Sequence, residues 1–492
     1  MSPILLKAEP PLGETRSATY GYTRAPSEGD PYRYQVGFGN RFVSEAVPDT
    51  IPRDGRNLPQ RANYDLYIEQ LNGTTFVTCR KDMFNVWFHR IRPSCAHKAL
   101  KPLEYKHDIV SVFSSQNEGV SFVPFNNEWG PLEIPLESKP TNFWQGIKTI
   151  LGHGDPTLKE GVAVHQYAAN LSMDKEAFVN HDGDYLFVPQ QGRLDIQTEL
   201  GRMMVLPGEL FVIPAGLRFK VSLPDGPSRG YIQEIFGSHF ELPDLGPIGS
   251  NGLALPQDFE IPVASYDLDT SSWEIITKLA GKLYHYEQAH TPFDVVGWHG
   301  NYVPYKYEIE KLLALSSSKD QLDPSAYTIL TAKSKIPGVS ITDFCAFTPK
   351  WVNSLNSWRP PYYHRTMGAE VMGMVRGEYG GSAKTLEPGA LTCDNAYVPH
   401  GETYDAWKKH AFVDLEPTLL GAGVLSITKF ALERHNQIKP MREELWDNMH
   451  GHFLDHTATI NAKLTAAARK TPLPNARMER SKGEKPQYLE GR

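Results

Sequence analysis

Apolar residues in this chain fall in short runs broken by Gly, Pro, Asn and Asp at close intervals, as in 183–189, 212–214, 370–377 and 397–401. Short runs with turn residues between them predict strands joined by tight connections, the layout of a β-sandwich or barrel. Helical signals are few. Residues 143–151 form one candidate, and 442–468 another, with Leu445, Trp446, Met449, Phe453 and Leu454 at roughly helical spacing. The chain up to about Arg33 is polar and Pro-rich, and the tail after Thr471 is basic; both lack periodicity and read as flexible ends.

A weak internal repeat adds to this picture. Gly183-Asp184-Tyr185-Leu186-Phe187-Val188-Pro189 leads through a turn at Gln191-Gly192 to Leu206-Pro207-Gly208-Glu209 and then Val212-Ile213-Pro214-Ala215-Gly216. Glu370-Val371-Met372-Gly373-Met374-Val375-Arg376-Gly377 leads in the same way to Glu387-Pro388-Gly389 and then Tyr397-Val398-Pro399-His400-Gly401. Each copy reads as strand, turn, Pro-Gly corner and a strand ending in a Pro turn, the layout of a cupin half-barrel. The expected fold is therefore mainly β: a cupin-like jelly roll of sandwich and barrel with a few helices and two related halves. The expected divisions are an extension at 1–33, an N-terminal β domain at 34–309 with a degenerate cupin half, a C-terminal cupin domain at 310–470 and a tail at 471–492. Where the second copy has Glu370 and His400, the first has Tyr185 and Phe219. Only the second half is expected to bind metal, leaving the first as scaffold and subunit interface.

Composition narrows the partners. At 492 residues with a net charge of -7, the chain gives no electrostatic case for nucleic acid or an anionic membrane, so a small-molecule substrate is expected. Cys79, Cys95, Cys345 and Cys393 are scattered without CxxC spacing, which indicates neither a zinc site nor a disulfide framework. The apolar patch at the N-terminus is broken by Lys7 and Pro10, no run reaches membrane-spanning length, and the final residues are not of the SKL kind. A cytoplasmic location is the default expectation.

The candidate chemistry lies at His364, Glu370 and His400. Taken singly, a histidine in a β-protein is more often a hydrogen-bonded structural residue. Glu370, however, precedes the apolar run 371–375, where an unpaired carboxylate is costly to bury and a metal would compensate it. Two imidazoles and a carboxylate can fill one face of an octahedron and leave the other open, which suits non-haem Fe(II); manganese or zinc would also fit. Tyr379, just past the turn at Gly377, is a candidate donor to a substrate oxygen, or else caps that turn.

The chain also resembles the homogentisate 1,2-dioxygenase family from roughly Tyr34 to Phe453. The shared stretches include Gly37-Phe38-Gly39-Asn40, Tyr67-Ile68-Glu69-Gln70-Leu71, the run from His239 to Gly249, Gly297-Trp298-His299-Gly300-Asn301-Tyr302, Pro304-Tyr305-Lys306-Tyr307 and Pro360-Pro361-Tyr362-Tyr363-His364-Arg365. The resemblance implies an Fe(II) enzyme that opens homogentisate with O2 to maleylacetoacetate in tyrosine and phenylalanine catabolism. It implies metal ligands at His364, Glu370 and His400, substrate contact at Tyr379 and at the metal ligand His400, and assembly as a trimer or dimer of trimers. One departure concerns proton transfer. Where the family carries His-x-Asp-Pro-Ser, this chain has Gln321-Leu322-Asp323-Pro324-Ser325, and an amide does not titrate near neutral pH. A second family histidine, six residues before the last ligand, is Asp394 here, a candidate substitute base. Thr366 stands where the family usually has Asn, and Gly368-Ala369 suggests a small wall before Glu370. Two other readings stay open: an Fe(II) oxygenase modifying a larger aromatic, and a metal-binding cupin serving as a structural or regulatory subunit. His299, in the Gly-Trp-His-Gly segment, is expected to be structural.

Overall fold

The computed structural model describes residues 22–24, 27–52, 61–114, 117–244, 254–312, 327–348, 350–352, 362–377, 386–412, 414, 418–420, 423–428, 432–434, 460, 462, 463 and 466. The chain forms two compact units, residues 1–402 with 406–441 and residues 403–405 with 442–492. Every described strand belongs to the first unit. In the second, residues 460, 462, 463 and 466 are helical, and the rest of the helix candidate at 442–468 lies outside the described residues.

The strands form sheets of 11, 7, 7, 4, 2 and 2 members. Within the 11-stranded sheet the order runs Glu209–Ile213, Gly183–Gln191, Ser228–Phe236, Glu160–Ala169, Ile147–Asp155. Within a seven-stranded sheet it runs Leu391–Asp394, Ala369–Gly373, Gly423–Thr428, Ser340–Phe347, Thr328–Lys333. These two orders are the same topology laid down twice, and the register repeats as well. Tyr185 lies opposite Ile213 on one side and Glu234 on the other; Glu370 lies opposite Asp394 and Ile427. The expected β architecture with two related halves is what the chain adopts. Both copies belong to one hydrophobic core, where Val164, Leu186, Val188 and Tyr231 meet Phe344, Val371 and Leu391 around a cavity of about 40 Å³.

The two halves differ in what covers their inner faces. In the first, a second seven-stranded sheet, including Glu176–Asn180, Leu194–Thr198 and Phe219–Ser222, closes over an aromatic cluster. The facing strands Gly183–Gln191 and Glu209–Ile213 of the 11-stranded sheet read as nearly continuous buried runs, as expected of a sheet packed on both faces. In the second half, the pairs Tyr363–His364 with His400–Gly401 and Lys350–Val352 with Thr418–Leu420 are all that the described residues place in two-stranded sheets.

The helix expected at 143–151 does not form. Residues 143–146 turn, and Ile147–Asp155 is a strand paired along Glu160–Ala169. Periodicity cannot separate a short apolar run in a helix from a buried strand, and here the β-branched Ile147, Thr149 and Ile150 with a long partner strand favour the sheet. Among the described residues, no helix is long and apolar enough to cross a membrane.

Candidate metal centre

Strand alternation creates the site. Along Ala369–Gly373, residues Ala369, Val371 and Gly373 are buried in the core, while Glu370 and Met372 are half-buried on the opposite face. Leu391–Asp394 alternates in the same way, which puts Asp394 on the Glu370 face and directly across from it. Ala369 therefore points into the core with no exposure, so of the Gly368-Ala369 pair Ala369 does not line the Glu370 face. Thr366 closes a local turn, its hydroxyl donating to the Gly368 carbonyl at 2.6 Å.

The two histidines face each other because Tyr363–His364 and His400–Gly401 pair in register, His364 opposite His400. Gly401 permits this approach, since a Cβ there would lie 2.6 Å from the Tyr363 ring and 2.7 Å from the Tyr362 carbonyl. The imidazole centroids end 4.3 Å apart. Glu370 reaches both rings: Oε1 is 2.9 Å from His364 Nε2, and Oε2 is 3.3 Å from His400 Nε2. One ligand atom from each residue lies within 4.8 Å of the others, and among the described residues no other His, Cys, Asp or Glu group does this.

The donor set fits a divalent cation. His400 Nδ1 donates to the Val398 carbonyl at 2.8 Å, which fixes the ring and turns Nε2 inward. That Nε2 is buried and, despite its closeness to Glu370, lacks an aligned hydrogen-bond partner, as expected of an atom that completes its bonding with a metal. Electrostatics agree. Burial opposes ionisation of Glu370, but His364 first, and then the nearby His400, hold its carboxyl at about 2. Burial also works against a charged His400, yet Glu370, then Asp394 and the Val398 carbonyl, raise it to about 9. Burial lifts Asp394 to about 6, Glu370 adding to the rise and His400 opposing it.

The sequence-selected His364, Glu370, His400 and Asp394 thus come together, whereas Gln321 and Tyr379 lie outside the described residues. His299 sits in the strand Val295–Gly300 of the four-stranded sheet, its ring 6.0 Å from that of His89. Sequence reading missed two features. The Val398 carbonyl that orients His400 is backbone and carries no residue-type signal. The first-half counterpart of His364 is Phe178, which pairs with Phe219 as His364 pairs with His400. Phe178, Tyr185 and Phe219 hence replace the whole ligand triad. Phe178 stacks on Tyr185 at 6.2 Å and meets Phe219 edge-on at 5.7 Å, contacts each worth about 0.5–1.5 kcal/mol beyond area burial.

Two histidines and one carboxylate on short β-segments, with the face beside them left half-exposed, define the site class of non-haem metal oxygenases. Residues 33–309 match the model for the N-terminal part of homogentisate 1,2-dioxygenase, and residues 312–453 match its C-terminal part. The chain is 43% identical to homogentisate 1,2-dioxygenase of Caenorhabditis elegans over 81% of its length and 91% of the relative. It is 46% identical to that of Dictyostelium discoideum over 79% and 88%, and 41% identical to that of Drosophila melanogaster over 86% and 98%. The chain belongs to the homogentisate 1,2-dioxygenase family, and so to the ring-cleaving dioxygenases. Among solved structures it is similar to a cupin 2 conserved barrel domain protein from Leptotrichia buccalis, at 11% identity over 60% of this chain and 92% of that one, with a TM-score of 0.27.

Proposed function

We propose that the chain opens the ring of homogentisate, or of a closely related hydroquinone, with O2 at an Fe(II) ion held by His364, Glu370 and His400. The observation that carries this reading is the convergence of three ligand atoms within 4.8 Å on one side of the sheet. His364, Glu370 and His400 would hold Fe(II), which would supply the Lewis-acid and redox chemistry for joining a phenol and O2. Glu370 offsets part of the cation's charge, and the Val398 carbonyl keeps His400 aimed at the metal. Asp394 takes the proton of the substrate hydroxyl, a role supported by its place across from Glu370 on the same strand face. Gln321, at the family's proton-acceptor position, is left to hold a hydroxyl by hydrogen bond. The half before residue 310 acts as metal-free scaffold, supported by the aromatic triad that stands in place of the ligands. The family resemblance supports assembly as a trimer or dimer of trimers, which sedimentation of the purified chain reports.

The test is anaerobic Fe(II) loading followed by O2 uptake with homogentisate, watching the ultraviolet absorbance of ring-opened product. One O2 consumed per ring opened is expected, with no added reductant. An iron-loaded protein that consumes no O2 with homogentisate or any related hydroquinone rejects the reading. Asp394→Asn is expected to lower kcat by about a hundred to ten thousandfold while iron content is retained; unchanged turnover removes Asp394 from the proton route.

A further inference from the structure

Between the strand that carries Glu370 and the strand that carries Asp394, the chain leaves the sheet through Met374 and Val375 and returns through Gly389 and Ala390. This neck is closed by its own backbone, Gly389 N–H donating to the Met374 carbonyl at 2.8 Å and Met374 N–H to the Ala390 carbonyl at 3.4 Å. Those bonds leave acceptor capacity at each carbonyl, and side chains of the metal-free half fill it. The Tyr231 hydroxyl shares its hydrogen between the Ala390 carbonyl at 2.7 Å and the Met374 carbonyl at 3.0 Å. Gln166 Nε2 donates to the Gly389 carbonyl at 3.0 Å, and Gln190 Nε2 to the Val375 carbonyl at 3.3 Å.

These donors converge by register. Gln166 lies directly opposite Tyr231 on paired strands. Gln190 sits at a β-bulge, where the pairing of Gly183–Gln191 with Ser228–Phe236 skips from Pro189 to Gln191. A bulge re-aims a side chain, and Arg229 Nε, 2.7 Å from Gln190 Oε1, leaves the amide N–H₂ to face Val375. The Tyr231 ring lies so close to Gly373 that a Cβ there would be 2.9 Å from it, so the ring takes the space a side chain at 373 would fill. Burial keeps the Tyr231 phenol protonated far above neutral pH, hence a permanent donor.

We infer that the metal-free half positions the metal centre: Tyr231, with Gln166 and Gln190, grips the neck by its four carbonyls and so fixes the spacing of the strands that present Glu370 and Asp394. Tyr231 is a positioning residue acting through backbone, and the inference rests on the metal-centre reading above. It gives the degenerate half a task beyond bulk support.

The experiment loads the full-length protein with Fe(II) anaerobically, adds nitric oxide as probe, and records the electron paramagnetic resonance spectrum of the iron nitrosyl together with the Fe(II) dissociation constant. Tyr231→Phe keeps the ring against Gly373 and removes only the hydroxyl. It is expected to raise the dissociation constant about tenfold, to change the rhombicity of the spectrum, and to lower kcat more than it changes KM. Tyr167→Phe is the control: its hydroxyl is also buried, bonded to Ser228 at 3.2 Å within the same sheet and not to the neck. That variant is expected to leave spectrum and affinity as in the wild type. An unchanged spectrum and affinity in Tyr231→Phe, or an equal change in Tyr167→Phe, overturns the inference. Fe(II) and nitric oxide are the only probes of the spectrum, so a wild type inert towards homogentisate refutes the substrate reading alone, whereas absence of the nitrosyl signal refutes both.

Discussion

Metal uptake by this protein should release a proton, and the site's geometry says which one. In the metal-free protein His400 is raised from its ordinary 6.5 to about 9, against the effect of burial, by Glu370, Asp394 and the Val398 carbonyl. That gap corresponds to roughly 3 kcal/mol favouring the protonated ring. The fall of Glu370 from 4.5 to about 2 comes first from His364 and then from His400; the His400 share is the same interaction seen from the other partner and is not added again. The sign follows directly: a raised histidine value means the proton is held through neutral pH, and a cation must displace it from Nε2. Glu370, already ionised, has none to give. At about pH 7.5, binding of Fe(II), or of Mn(II) as an air-stable probe, is therefore expected to release about one proton. Affinity is expected to fall about tenfold for each unit of pH below about 9. Anaerobic calorimetry in buffers of differing ionisation enthalpy measures the count as the slope of apparent enthalpy. A slope near zero, with affinity flat between about pH 7 and 8.5, would refute the charged, carboxylate-paired His400 described above.

Two further outcomes test the metal-free half. The Tyr185 hydroxyl is buried without a hydrogen-bond partner among the described residues, so Tyr185→Phe should leave stability unchanged or raise it by about 1 kcal/mol, with turnover intact; a loss of stability in denaturant melts would show a missed partner. Lys278 is fully buried, its Nζ 2.6 Å from Glu234 and 2.7 Å from Asp182. Lys278→Met strands two buried carboxylates and should cost about 3–5 kcal/mol in chemical denaturation, and a cost below about 1 kcal/mol would contradict the network.

Much of this was legible in the sequence because the signals are local. The spacing of His364, Glu370 and His400, and the Pro-Gly corners that recur in both halves, lie within short stretches of chain and survive into register-matched strands. What escaped depends on contacts between distant segments. Phe178 becomes the counterpart of His364 only once its pairing with Phe219 is known. Tyr231 reads as one more strand residue until its hydroxyl is seen at Met374 and Ala390. That Ala369 faces the core and Glu370 the site could not be read from their adjacency, because the phase of strand alternation is set by the core and not by neighbours in sequence. The 143–151 run misled for a related reason, a long partner strand outweighing a local apolar pattern.

The most direct test of ring cleavage at this site is turnover of homogentisate by the Fe(II)-loaded protein under ¹⁸O-labelled O2, with the product read by mass spectrometry before it can exchange. Incorporation of both labelled atoms into one ring-opened acid, abolished in Glu370→Ala, is the expected result. A product with one labelled atom and an intact ring, or labelled product from Glu370→Ala, would contradict a dioxygenase centred on His364, Glu370 and His400.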